Sequence, residues 1–229
     1  VKCLVLVGGF GTRLNSNNQA KALLEYRGKS LLTHIVEKVP KGIPVLISTN
    51  RRFESDFYRW QESQRNREIE ILVENARSEE EKFGAVSALN FWVNQKRITE
   101  DLLVIGGDNY FEFNLSDFIA AYNGENTLIA VRDIKEKSKA SQFGIVVLGD
   151  KNRIVELQEK PVLPKSSLAS TACYIFPSRV FPLLATYCQQ GKRDSLGNFI
   201  AYLVEKKEVY AYIFKELWLD IGSSNNRRY

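Results

Sequence analysis

The chain has 229 residues, 44% of them hydrophobic and 26% charged, a balance that excludes a disordered or fibrous chain and supplies enough apolar side chains for a substantial core. Its net charge of +5 comes from Lys and Arg spread among acids, as in Glu79-Glu80-Glu81 and Asp133-Ile134-Lys135-Glu136-Lys137, so a small anionic substrate is expected rather than nucleic acid. Three widely separated cysteines, Cys3, Cys173 and Cys188, exclude a disulfide framework or a cysteine metal cluster, and no apolar run approaches the ~18 residues that span a bilayer, so a cytoplasmic protein with no membrane partner is expected.

In chain order, the apolar run 3–7 predicts a buried strand that drops into Gly8-Gly9-Phe10-Gly11-Thr12-Arg13-Leu14, with Lys21 following in a polar loop. Glycines after a strand leave backbone N–H groups free to approach an anion, and Thr12 and Arg13 add a hydroxyl and a permanent bidentate cation. A helix is predicted near 30–39, with Ser30 as its cap and Leu31, Leu32, Ile35 and Val36 on one face. His34, the only histidine, points elsewhere on that helix and reads as a surface or edge residue, because nothing nearby in sequence would orient it. Strands at 45–48, 69–74 and 102–105 alternate with helices near 53–64 and 85–93, which gives an α/β fold with a mostly parallel sheet and helices on both faces.

From residue 127 the strand-like pieces crowd together, at 127–132, 143–147, 154–159, 170–176, 209–214 and 217–220, with helices near 179–189 and 197–206. Mixed or antiparallel pairing and a smaller lobe are expected there. Gly149-Asp150-Lys151-Asn152 is hairpin-turn chemistry, and Pro161, Pro164 and Ser166-Ser167 mark a loop. The sequence contains no Met, so the natural start is expected slightly upstream of Val1.

Three phosphate loops compete for the first segment. A dinucleotide fold requires G-x-G-x-x-G and an acid ending the second strand; here Leu14 replaces the third glycine and the second strand ends in Ser48-Thr49-Asn50. A P-loop requires G-x-x-x-x-G-K-[ST]; Gly28-Lys29-Ser30 matches its tail, but Leu23 holds the leading glycine position and no strand feeds it, so this is a turn and a helix cap. Leu6-Val7-Gly8-Gly9-Phe10-Gly11-Thr12-Arg13-Leu14 closely resembles the third, the L-A-G-G-x-G-T-R-L signature of sugar-1-phosphate nucleotidyltransferases, the nucleoside-diphosphate-sugar pyrophosphorylases that include glucose-1-phosphate thymidylyltransferase.

That resemblance runs from Val5 to Gly222 and implies a Rossmann-like mixed α/β catalytic domain over 1–229, with a small sugar-binding lobe and without the C-terminal extension that some larger relatives carry. Residues 1–125 would serve mainly the nucleotide, and 126–229 mainly the sugar phosphate and the second metal ligand. Gly8, Gly9, Gly11 and Thr12 would cradle the triphosphate, and Arg13 and Lys21 would brace its departing phosphates. Relatives carry Pro-Lys where this chain has Ala20-Lys21, so the lysine is kept and the proline lost. Ile105-Gly106-Gly107-Asp108-Asn109 resembles the family's G-D-N and Trp218-Leu219-Asp220-Ile221-Gly222 its W-x-D-x-G, which implies that Asp108 and Asp220 hold a Mg²⁺ cofactor. Gln158-Glu159-Lys160-Pro161 resembles E-E-K-P, making Glu159 the acceptor of sugar hydroxyls and Lys160 the catalytic cation on the sugar phosphate. Gly144 in Phe143-Gly144-Ile145-Val146 and Thr171 in Thr171-Ala172-Cys173-Tyr174, where Ala172 replaces a family glycine, fall on the sugar side. Gly84, with Asn75, is the candidate for reading the base, and Asp194-Ser195-Leu196-Gly197-Asn198 either borders the sugar pocket or caps a helix.

The implied reaction joins a nucleoside triphosphate and a sugar 1-phosphate, the two expected partners, into a nucleoside-diphosphate sugar and pyrophosphate; homo-oligomers are common in the family. An anionic phosphate oxygen needs no general base, which agrees with the lack of a catalytic His or Cys. Two alternatives stay open at this level: a metal-dependent glycosyltransferase that consumes a nucleotide-sugar, and a non-catalytic nucleotide-sugar-binding paralogue.

Overall fold

The computed structural model describes residues 1–11, 19–64, 67–191 and 195–221. Among them, β1 (Lys2–Leu6) is the central strand, buried on both faces. It is followed by the short hairpin β2 (Glu25–Tyr26) and β3 (Lys29–Ser30), then by α1 (Leu31–Lys38), β4 (Val45–Asn50), α2 (Glu54–Glu62), β5 (Ile69–Glu74), α3 (Ala85–Gln95) and β6 (Leu102–Gly106). The hairpin turns on Arg27 and Gly28, at φ 49° and 80°, so Gly28-Lys29-Ser30 is a turn and a cap: Ser30 Oγ accepts from Thr33 N at 3.1 Å to start α1. The alternation expected from the sequence is present, and β1 pairs in parallel with β4 and β6, and β4 with β5.

The second half comprises β7 (Asn109–Phe111), α4 (Leu115–Ala120), β8 (Thr127–Asp133), α5 (Lys137–Ala140), β9 (Gly144–Leu148), β10 (Ile154–Glu159), β11 (Leu168–Phe176), α6 (Phe181–Gln189), α7 (Leu196–Lys206), β12 (Val209–Phe214) and β13 (Trp218–Asp220). Its larger strands extend the first half's sheet to nine strands, in the order β10-β9-β11-β6-β1-β4-β5, with β8 pairing β11 and β12. The expected hairpin turn joins the antiparallel β9 and β10, with Gly149 N donating to Arg153 O at 2.8 Å. β7 and β13 form a separate antiparallel ribbon.

Successive strand residues face opposite sides, so the sheet builds two cores. Cys3, Val5, Val45 and Ile47 bury against α1, α2 and α4 through Ile35, Phe57, Trp60 and Phe118, whereas Leu4, Leu46, Leu72 and Val104 bury against α3, α6 and α7 through Leu89, Trp92, Leu184 and Phe199. Cys3 and Cys173 are wholly buried and free; burial pushes the Cys3 thiol up to about 12, so both act as small core side chains. No helix among the described residues is long and apolar enough to cross a membrane.

Strand β11 creates the crevice. One of its edges pairs with β8 on both sides of a register shift between Ser170 and Tyr174, while the other is shared end to end: Ala169 pairs with Ile145 of β9, and Cys173–Phe176 pair with β6. Between Ala169 and Cys173 that edge pairs with neither β9 nor β6, and Ala172, at a positive φ of 53°, lies in the bulge that shifts the β8 register on the opposite edge. β6 therefore ends and β9 begins on opposite sides of a gap.

Candidate active site

A cavity of about 390 Å³ fills that gap. One side carries Asp108, Asn109, Trp218 and Asp220; the other carries Gly144, Glu159, Lys160 and the α7 start at Ser195–Gly197, with the β11 bulge as the floor. A second cavity of about 380 Å³, between Asn123, Lys151 and Tyr212, has no carboxylate on its wall and none of the expected residues.

Asp108 and Asp220 are 112 positions apart in sequence, and ribbon pairing brings them to one wall: Asp220 lies opposite Asn109, and Ile221 N donates to Asp108 O at 2.9 Å. Asn109 organises this corner. Its Nδ2 donates to Asp108 Oδ1 at 3.0 Å and to Gly106 O at 3.2 Å, while its Oδ1 accepts from Trp218 Nε1 at 2.9 Å. The Trp218 ring packs edge-on against Phe143 across the cavity mouth, with centroids 5.0 Å apart. Two carboxylates on one polar wall form a hard-oxygen donor set, which fits an ion that keeps several waters and takes its remaining ligands from a substrate.

Opposite, Glu159 ends β10 in register with Gly144. The exposed Lys160 follows at a φ of 47°, a left-handed conformation uncommon for a side-chain-bearing residue, and its N–H donates to Phe143 O at 3.0 Å. Thr171 is buried and its hydroxyl donates to Ala130 O at 2.8 Å, so its one O–H is committed within the fold. Ala172, which the resemblance sets against a family glycine, holds a positive φ of the kind glycine adopts most readily and places a methyl beside Gly106.

The glycine loop lies on the adjoining rim. Val7 N donates to Ser48 O at 2.8 Å and Gly107 N to Leu6 O at 3.0 Å, clamping the end of β1 between its neighbours. Asn50 Nδ2 donates to Gly8 O at 3.0 Å, Gly9 is exposed, and Gly11 has a φ of 71°. Thr12 and Arg13 lie outside the described residues, as do Asp194 and Gly222. Phe10 is buried against Phe53, with ring centroids 6.2 Å apart, and pins the loop to the core. Lys21 opens a one-turn 3₁₀ helix, Lys21–Leu23. The preceding Ala20 has a φ of −64°, the value a proline would impose, so losing the ring leaves the backbone shape intact. Gly84, at a φ of 79°, precedes α3, whose first residue Ala85 reaches the cavity, and Asn75 is exposed just beyond β5.

Some structure here was not expected. Glu74 is buried beneath the glycine loop, where a Cβ on Gly8 would come within 3.1 Å of its Oε1. It accepts from Ser48 Oγ at 2.7 Å, and Ser48 in turn accepts from Trp92 Nε1 at 2.8 Å. Burial pushes the Glu74 carboxyl above its usual value, and the Ser48 hydrogen bond opposes part of that rise. His34 has partners that the sequence did not reveal: its Nε2 lies 2.7 Å from Tyr26 O, eight positions earlier, and its ring sits edge-on to Tyr110. It is a half-buried structural residue off the cavity wall.

Comparison with known proteins yields consistent relatives. The family profile described as nucleotidyl transferase matches residues 2–226. A curated relative, the bifunctional protein GlmU of Methanocaldococcus jannaschii, is 28% identical over 226 residues, which is 96% of this chain and 50% of that protein, so the chain spans half the length of this relative. Among solved structures, a Bacillus anthracis protein described as a glucose-1-phosphate thymidylyltransferase superposes with a TM-score of 0.83 at 21% identity, covering 97% of this chain and 90% of its own. A UDP-glucose pyrophosphorylase complexed with UDP-glucose gives 0.79 at 20% identity, covering 97% and 93%. These likenesses establish the shared fold.

Proposed function

The chain belongs to the nucleotidyl transferase family, whose profile spans nearly all of it, and on that premise we propose that it condenses a nucleoside triphosphate with a sugar 1-phosphate, releasing pyrophosphate and a nucleoside-diphosphate sugar. The observation that carries this reading is the single cavity onto which Asp108 and Asp220 face from one side and Glu159 and Lys160 from the other. A metal pole and a sugar-phosphate pole then lie across one gap, beside the rim that holds the glycine loop.

In this reading a sugar-phosphate oxygen attacks the α-phosphorus; the new P–O bond forms as the bond to pyrophosphate breaks. The nucleophile is anionic at neutral pH, so repulsion and alignment set the barrier, and positioned charge lowers it. Lys160 holds the sugar phosphate while Glu159 accepts from sugar hydroxyls beside the Gly144 backbone and that of Thr171. Backbone groups of Gly8, Gly9 and Gly11, together with Thr12, cradle the triphosphate, and Arg13 and Lys21 brace the phosphates that depart. Gly84 and Asn75 border the base, so residues 1–125 serve mainly the nucleotide and 126–229 mainly the sugar. Asp108 and Asp220 would hold Mg²⁺, which when bound neutralises charge on the α-phosphate. Asn109 fixes the Asp108 carboxylate toward the cavity.

The test is loss of Mg²⁺-dependent pyrophosphate release in Asp108→Asn and Asp220→Asn. Each should lower turnover about 100-fold or more with the thermal unfolding midpoint little changed, since metal sites lose ~10–100-fold even when only outer partners are removed. Normal turnover in both variants would overturn the metal assignment.

A further inference from the structure

Glu159 reaches its place in the cavity between two glycines on different elements. On one side is Gly144, its partner in the β9–β10 pair, where a Cβ would stand 3.1 Å from Glu159 Oε2. On the other is Gly197, in the first turn of α7, where a Cβ would overlap Oε2 and lie 2.9 Å from Cδ of the same carboxylate. Gly197 is not required by its backbone, for it is not among the positive-φ residues of the chain. Within a helix glycine is disfavoured relative to alanine, so the space it leaves is the physical reason for its presence here. α7 cannot retreat to make room. Leu196, Phe199, Ile200 and Leu203 are buried in the core shared with α3 and α6, so the flexible end of Glu159 is what would move.

We propose that Gly197 is a positioning residue that fixes the Glu159 carboxylate at the sugar end of the cavity, and that α7 thereby sets which sugar hydroxyls are accepted. This rests on reading the cavity as a sugar 1-phosphate site. The consequence is a division of labour on one acid: β10 supplies Glu159, while the α7 start, with Ser195 Oγ 3.3 Å from the vacant Cβ position, defines where its oxygens stop.

The test is Gly197→Ala in the full chain, assayed with the sugar 1-phosphate that the parent turns over fastest among those of glucose, galactose, mannose and N-acetylglucosamine. The Michaelis constant for the sugar phosphate should rise at least tenfold while that for the triphosphate stays at the parent value and the unfolding midpoint is unchanged or raised. A Glu159→Asp change withdraws the carboxylate from the new methyl, so the double variant should be no worse than Glu159→Asp alone. Parental constants for both substrates in Gly197→Ala, or two substitutions whose effects simply multiply, would overturn the proposal. Absence of turnover in the parent with every pair would instead sink the proposed reaction. The positioning role is then read from a crystal structure of Gly197→Ala, which should show Glu159 displaced; Glu159 unmoved would refute it.

Discussion

Glu74 shows how one residue can bind the glycine loop to the core. The series Trp92 Nε1, Ser48 Oγ, Glu74 Oε1 runs from α3 through β4 to the end of β5, and stops against Gly8, where only a glycine leaves the carboxylate comfortable room. Because burial raises the folded-state carboxyl pKa, the folded protein binds more protons than the unfolded chain from the ordinary Glu value of ~4.3 upward, and stability falls as pH rises through that window. Glu74→Gln keeps an acceptor for Ser48 and removes the titration. Chemical denaturation at several pH values should therefore show the stability difference moving in favour of the Gln variant as pH rises above ~4.3 and then levelling off; a difference that does not vary with pH would contradict burial of an ionisable carboxyl here. The sequence did not mark this acid, because nothing in Val73-Glu74-Asn75 distinguishes a side chain turned under the loop from one turned to solvent. Lys160 and Asp108 were legible for the opposite reason: each lies in a short string whose residue types are fixed by the chemistry they would perform.

At the scale of elements, the ribbon of β7 and β13 does what neither aspartate motif explains alone. Three paired positions, Trp218–Phe111, Leu219–Tyr110 and Asp220–Asn109, bring both aspartates to the lining of one cavity, and the Trp218 indole holds the amide that orients Asp108. Trp218→Phe retains an aromatic ring against Phe143 but leaves the buried Asn109 oxygen without the indole donor. The expected cost is about 1–2 kcal/mol of stability, read by denaturant unfolding, with an increase in the Mg²⁺ concentration needed for half-maximal turnover. Unchanged values for both would show that the indole does not organise this corner. Most strands and helices were legible from apolar periodicity, and Ser30 from its place before an amphipathic run. The strand β7 was not, for three residues carry no period, and neither was the bulge in β11: Ala172 hides a left-handed position that glycine would have advertised.

Across the whole molecule, function follows from where one sheet changes partners. β6 and β9 meet the same edge of β11 from opposite ends, and the break between them is wide enough for a cavity of about 390 Å³ bordered by groups from both halves of the chain. The parallel half delivers strand ends and the glycine loop to that rim; the mixed half delivers Glu159, Lys160 and Asp220. Such a crevice at the carboxyl ends of parallel strands is where open α/β sheets place ligands, and its two poles suit two anionic substrates joined head to head. The most direct measurement is a matrix of nucleoside triphosphates against sugar 1-phosphates with Mg²⁺, following pyrophosphate and nucleoside-diphosphate sugar together. At least one pair should yield both products in equal amounts, with no release when either substrate is omitted. Contradiction would come from a matrix with no product in any pair, or from a protein that instead consumes a nucleotide-sugar and releases a nucleoside diphosphate.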